Sequence, residues 1–257
     1  MQDWRERLPE IHPRDLPVAI GFLTRFPMPP GFDESPEYIV RSSWAWPVVG
    51  AIAGAVAGVS GASLGWLGID REMTAIAALG VLVLVTGAMH EDGLADSLDG
   101  LAGGSTAEKR LEIMKDSQIG VFGATGLALV LLGRWSAISE FGGLQLIAVL
   151  LVSSCASRLP VVLAMAALPP ARDSGLSASI GRPTGQLALL ATAVTTLICL
   201  VAFGLAGLAA VVVAVIGAVP ICFLARQLVG GQTGDILGAA QQFAELSVLA
   251  MLSSVIQ

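Results

Sequence analysis

Seven stretches of about 20 mostly apolar residues recur along the chain, and that is the length a helix needs to cross a bilayer at about 1.5 Å rise per residue. They lie at roughly 44–67, 73–90, 119–138, 144–167, 187–204, 208–228 and 236–256. Lipid offers the backbone no hydrogen-bond partner, so segments of this kind are confined to helices. Of 257 residues, 54% are hydrophobic and 13% charged, about half the charge a soluble domain carries. An ordinary soluble enzyme, a disordered chain and a disulfide-stapled secreted module are excluded. The fold class is all-α, a polytopic integral-membrane helical bundle. An N-terminal interfacial or re-entrant helix is added to it, because 15–28 (DLPVAIGFLTRFPM) is too short to cross and closes at Pro27. The chain reads as one membrane-embedded catalytic domain over 1–257, with 1–43 a cytoplasmic arm and interfacial helix and 91–118 a cytoplasmic acidic loop.

The basic residues set the orientation. Arg5, Arg7, Arg14, Arg25 and Arg41 precede the first span, Lys109, Arg110 and Lys115 lie in the 91–118 loop, and Arg172 and Arg182 in the 168–186 loop. With seven spans these groups fall on one side, the cytoplasmic one, and Arg134 near the outer end of its span is the misfit. The polar stretch from Met1 to Arg14 does not have the form of a cleavable signal. The net charge of −6, with no basic stripe, excludes a nucleic-acid partner. Cys155, Cys199 and Cys222 stand singly in apolar runs and read as small buried hydrophobes. Gly50, Gly54 and Gly58 form GxxxGxxxG, and Gly120, Gly123 and Gly126 repeat closely; both fit close helix packing in lipid and would allow a homo-oligomer. No internal repeat stands out.

Charge concentrates where the apolar run Val81–Met89 ends. Of the 20 acidic residues, seven fall between 91 and 116, among them Glu91, Asp92, Asp96 and Asp99. If the second span continues through them as a helix, Asp92, Asp96 and Asp99 share one face. Like charges at that spacing repel, more strongly at a membrane edge where the effective dielectric is low. Too few Lys or Arg stand nearby to neutralise them, so a hard divalent cation, Mg²⁺ above all, is expected. A solvated acidic helix end is the plainer alternative.

A turn is expected at Leu101–Gly104, then a capping box at Ser105–Glu108 opening a short helix to about Asp116. That helix would deliver Lys115, Asp116 and Ser117 toward the acids, Asp116 as a further ligand and Lys115 as a phosphate contact. Arg158, deep in a span before Pro160, needs an anionic partner, carboxylate or phosphate. Gly230–Asp235 (GGQTGD) enters a helix whose free N–H groups could cradle phosphate, which brings in Gly231, Thr233 and Asp235. Glu245 is a second buried acid, and His90 is a candidate general base or a structural histidine.

These residues carry a resemblance. HEDGLADSLDGLAGG (90–104), RLEIMKDSQIGVFG (110–123), SRLP (157–160) and GGQTGDILGAAQQFAE (230–245), with FLTRFPMP (22–29) and WPVVGAIAG (46–54), resemble the cobalamin synthase family, the adenosylcobinamide-GDP ribazoletransferases. Glu91, where that family commonly has an apolar residue, and Trp46, where Phe is usual, depart from it. The resemblance implies a multi-pass enzyme of the bacterial cytoplasmic (inner) membrane, its active site facing the cytoplasm, which performs the last joining step of cobalamin assembly with Mg²⁺. The 5′-hydroxyl of α-ribazole, or of its 5′-phosphate, would attack the β-phosphoryl of adenosylcobinamide-GDP and release GMP. Metal ligands are then expected among Glu91, Asp92, Asp96, Asp99 and Asp116. The catalytic set would be His90, Asp92, Asp96, Asp99, Lys115 and Arg158. Substrate phosphate would fall to Arg25, Lys115, Ser117, Arg158, Gly231, Thr233, Asp235 and Glu245.

Prenyltransferases of the UbiA type and CDP-alcohol phosphotransferases also join aspartates and Mg²⁺ on intramembrane helices. The first group has a second aspartate-rich motif and the second needs DGxxAR with GxxxDxxxD, whereas here Gly93-Leu-Ala is followed by Asp96. A secondary transporter would spread ionisable residues over several spans.

Overall fold

The computed structural model describes residues 11–28 and 35–255; Arg5, Arg7 and Pro29, used above, lie outside them. The described chain is helical throughout, without a strand. Its elements are α1 (Asp15–Leu23), α2 (Pro36–Arg41) with a 3-10 turn at Ser42–Ala45, α3 (Trp46–Trp66), α4 (Arg71–Thr86), α5 (Met89–Gly103) and α6 (Ala107–Ile113). There follow α7 (Val121–Ser139), α8 (Gly143–Ala167), α9 (Leu176–Ile180), α10 (Gly185–Phe203), α11 (Leu205–Val229) and α12 (Gly234–Val255). Among the described residues six helices are long and apolar enough to cross a membrane, or seven if α4 and α5 count as one bent span. The chain is a polytopic helical membrane bundle.

The centre of the bundle is α8, against which α3, α10, α11 and α12 all pack. Close approach of α3 uses the GxxxGxxxG face: a Cβ on Gly58 would lie 2.6 Å from the Ile147 Cα, and one on Gly54 2.9 Å from the Ser154 Cβ. The Gly120/Gly123/Gly126 face receives α5, since a Cβ on Gly123 would lie 2.7 Å from the Ala95 carbonyl oxygen. The interfacial segment is α1, fixed by the buried Asp15: Arg41 Nε (2.8 Å) and Trp44 Nε1 (3.1 Å) donate to its carboxylate. Cys155 and Cys199 are buried free thiols and Cys222 is half-buried.

The acidic stretch departs from the expected continuous helix. The second span stops at Thr86, and the chain turns through Gly87 (φ 65°) and Ala88 (φ 58°), both left-handed. It restarts as α5, bent by 87° from α4. His90 therefore belongs to α5 and not to the span. The helix also runs on through the expected turn at 101–104, to Gly103. The next helix is capped by Thr106, whose hydroxyl accepts from Lys109 N (3.2 Å), and not by Ser105; it ends at Ile113, short of Asp116. Glu108, in its first turn, is held below the usual carboxylate range by its own backbone N–H and by the Thr106 hydroxyl.

Candidate active site

Helices α5 and α12 cross where each presents a small residue. A Cβ on Gly93 would lie 2.8 Å from the Asp235 carbonyl oxygen and one on Gly238 3.3 Å from the His90 Cα. The crossing sets the α5 carboxylates beside the start of α12. Asp92 is exposed and Asp96 half-buried, and Asp96 lies within electrostatic reach of Asp92, Asp235, Asp99 and Arg172. Among the described residues no ion pair reaches Asp92 or Asp96.

These groups open onto a cleft with two kinds of wall. His90, Asp92, Arg172, Ser177 and Asp235 make the polar side, and Phe22, Trp46, Met165 and Ile180 are on the apolar side. Phe22 and Trp46 pack ring on ring, 5.4 Å between centroids. The start of α12 is organised by Thr233, whose hydroxyl accepts from Ile236 N (3.2 Å) and donates to Asp235 Oδ2 (3.1 Å). The Gly230–Asp235 loop is stapled to the chain after α8 by Ala171 N to Gln232 O and Gln232 N to Pro169 O, both 2.8 Å. Gly231 lies under that staple, where a Cβ would be 3.1 Å from Ala171 N. Arg172, next along, donates from Nη2 to Asp235 Oδ2 (3.2 Å), while its Nη1 is buried without a hydrogen-bond partner.

A second charge cluster fills the bundle interior behind the cleft. Arg134 donates from Nη1 to Glu91 Oε1 (3.0 Å) and Gln242 Oε1 (2.8 Å), and its Nη2 lies 3.2 Å from Glu245 Oε2. Arg158 Nη1 donates to Ser154 O and Ser157 Oγ (3.0 Å each) and lies 3.7 Å from Glu245 Oε2. Glu245 also accepts from Ser154 Oγ (2.6 Å) and Gln241 Nε2 (2.8 Å). Two arginines and two glutamates balance, and all four side chains are at most 8% exposed.

The expected site residues thus divide. His90, Asp92 and Asp235 meet at the cleft, with Asp96 beside them. Glu91 and Arg158 face the interior network with Glu245, away from the cleft. Asp99 is engaged elsewhere: its carboxylate accepts from Gly120 N (2.6 Å) and Gly123 N (2.9 Å), capping α7 from another helix. Lys115, Asp116 and Ser117 are exposed in the turn after α6, where Asp116 accepts from Gln118 N (3.1 Å), and no contact joins them to the acids. Arg25 is exposed at the α4–α5 break, packed against Gly87. The sequence reading missed Arg172, whose position depends on a staple to residues 60 further on, and it missed Arg134 as a network member. Gln241 and Gln242 were the available signal, two amides side by side within an apolar span. Among the described residues, no three His, Cys, Asp or Glu side chains converge as a ready-made metal cage.

A bundle of membrane-length helices with a carboxylate-lined cleft at the end of a buried charge network defines a multi-pass membrane enzyme, and the comparisons make it one that transfers phosphate-containing groups. The chain belongs to the cobalamin-5-phosphate synthase family, whose model matches residues 15–253. It is 39% identical to the adenosylcobinamide-GDP ribazoletransferase of Bradyrhizobium diazoefficiens, over 93% of each chain. It is 38% identical to the enzyme of that name from Mesorhizobium japonicum, over 93% of this chain and 92% of the relative. For Brucella canis the identity is 36%, over 90% and 93%. No solved structure matches the chain.

Proposed function

We propose that this enzyme performs the Mg²⁺-dependent joining of adenosylcobinamide-GDP to α-ribazole or its 5′-phosphate at the bacterial cytoplasmic membrane, the cleft facing the cytoplasm. The observation that carries the reading is the pair of carboxylates Asp92 from α5 and Asp235 from α12 lining one cleft with a single arginine, with Asp96 within electrostatic reach of both. Carboxylates that lie near one another without closing into a cage suit an ion of the Mg²⁺ type, which keeps several waters and takes the remainder of its ligands from substrate phosphate. Asp92, Asp96 and Asp235 would hold it, and when bound it supplies charge neutralisation for the diphosphate and the departing GMP.

The chain's own residues do the rest. His90, buried and lining the cleft, takes the proton from the attacking 5′-hydroxyl. The hydroxyl oxygen forms a bond to the phosphorus next to the corrinoid, the P–O bond to GMP breaks, and GMP leaves with the electron pair. The Phe22/Trp46 wall, its rings tilted by 34°, gives the cleft an apolar side that excludes water. The network behind α5 keeps Glu91 out of the acidic face and fixes the helix start from which His90 and Asp92 project.

The test is GMP release by purified protein given adenosylcobinamide-GDP and α-ribazole. One GMP is expected per corrinoid product, stopping on chelation and returning with Mg²⁺. No GMP in the presence of Mg²⁺ overturns the reaction, and undiminished release after chelation overturns the metal.

A further inference from the structure

We propose that Arg172 is the residue that grips the donor's diphosphate. This rests on the reading above and adds to it a substrate contact for a residue outside the expected phosphate set. Among the described residues Arg172 is the one Lys or Arg lining the cleft. The interior arginines are committed elsewhere: Arg158 to Ser154, Ser157 and Glu245, Arg134 to Glu91, Gln242 and Glu245. A diphosphate entering a face that already carries Asp92, Asp96 and Asp235 meets repulsion that a cation on that face must relieve.

Arg172 is built for that contact. Its Nη2 is held by Asp235, so the guanidinium plane is oriented before substrate arrives, and its Nη1 is buried with nothing to donate to. A planar guanidinium matches phosphate oxygens with a fork that an ammonium lacks. The backbone beneath it cannot drift, because the 2.8 Å pair between 169–171 and Gln232 ties it to the start of α12, and Ser177 Oγ donates to Gln232 Oε1 (2.7 Å) from α9. One staple therefore positions Asp235 and Arg172 together, an anion for the metal and a cation for the phosphate.

The test compares wild type, Arg172→Gln and Arg172→Lys as full-length protein in detergent, with adenosylcobinamide-GDP as donor and GDP as competitive probe. The donor KM is expected to rise at least tenfold in the Gln variant and severalfold in the Lys variant. GDP inhibition should weaken in parallel, and the KM for α-ribazole should stay within twofold. An active wild type with donor KM and GDP inhibition unchanged in both variants overturns the assignment. So does a defect seen only with α-ribazole 5′-phosphate, which would put the guanidinium on the acceptor. If the Gln variant does not fold, the Lys variant, which keeps the charge beside Asp235, decides alone. A wild type that releases no GMP overturns the reaction itself, a failure distinct from that of Arg172.

Discussion

Glu91 and Asp92 are adjacent, yet they belong to opposite kinds of charge cluster. About 100° of helical rotation separates them. Glu91 turns inward, where its buried carboxylate accepts from Arg134 and Gln242, while Glu245 meets Arg134 and Arg158. Asp92 turns outward with Asp96 and Asp235 to a cleft holding one arginine. The same two helices supply the carboxylates of both clusters. A charge answered within the fold is structural, because its counter-charge is already in place. A charge left unanswered at a cleft is waiting for a cation or a ligand to complete it.

That contrast can be broken from either side. The largest effect is expected from Glu245→Ala, which strands Arg158 and leaves two buried arginines with the one carboxylate of Glu91, and should cost about 3–5 kcal/mol. Thermal unfolding in detergent measures it, and an unmoved melting temperature would deny the network its structural role. Next comes Asp92→Asn. Turnover should fall about a hundredfold, about 2.7 kcal/mol of barrier, with the melting temperature of wild type; equal GMP release would remove Asp92 from the metal face. Gly93→Ala probes the crossing that joins the clusters. Its Cβ would press on the Asp235 backbone at 2.8 Å, and overpacking of that kind costs about 1–3 kcal/mol, read as lowered stability together with weakened Mg²⁺ activation. Asp99→Ala removes the α7 cap and should cost about 1 kcal/mol. The smallest change is expected from the double substitution Glu91→Leu/Arg134→Leu. Removing both leaves one arginine and one glutamate, Arg158 and Glu245, still balanced in the interior, whereas Glu91→Leu alone should be clearly destabilising.

Much of the fold was legible because hydropathy is a local signal. The expected spans coincide with α3, α4, α7, α8, α10, α11 and α12 to within about four residues at each end. What failed depends on packing. Only Thr86 and Gly87 interrupt the run Val81–Met89, too weak a local mark for a break, and Ala88 adopts φ 58° with no cue in its identity. Arg134 was a misfit because loop-charge counting treats a span as a line, whereas its guanidinium answers carboxylates on α5 and α12. Asp99 fits the acid pattern by spacing, but its partners are the amides of Gly120 and Gly123, 21 and 24 residues away. Asp92 and Asp96 stood out by type and spacing, whereas Asp235 was read only as part of a phosphate-cradling loop, because its approach to α5 depends on the crossing at Gly93. The arginine among them was counted only for its side of the membrane.

The even balance of the inner cluster bears on energetics beyond folding. An energised membrane does work on any unpaired charge in its field, about 2.3 kcal/mol for each 100 mV. Two cations and two anions linked at 3.0–3.7 Å carry no net charge between them. With no net charge in its interior cluster, the bundle gives a membrane potential little to pull on at that point.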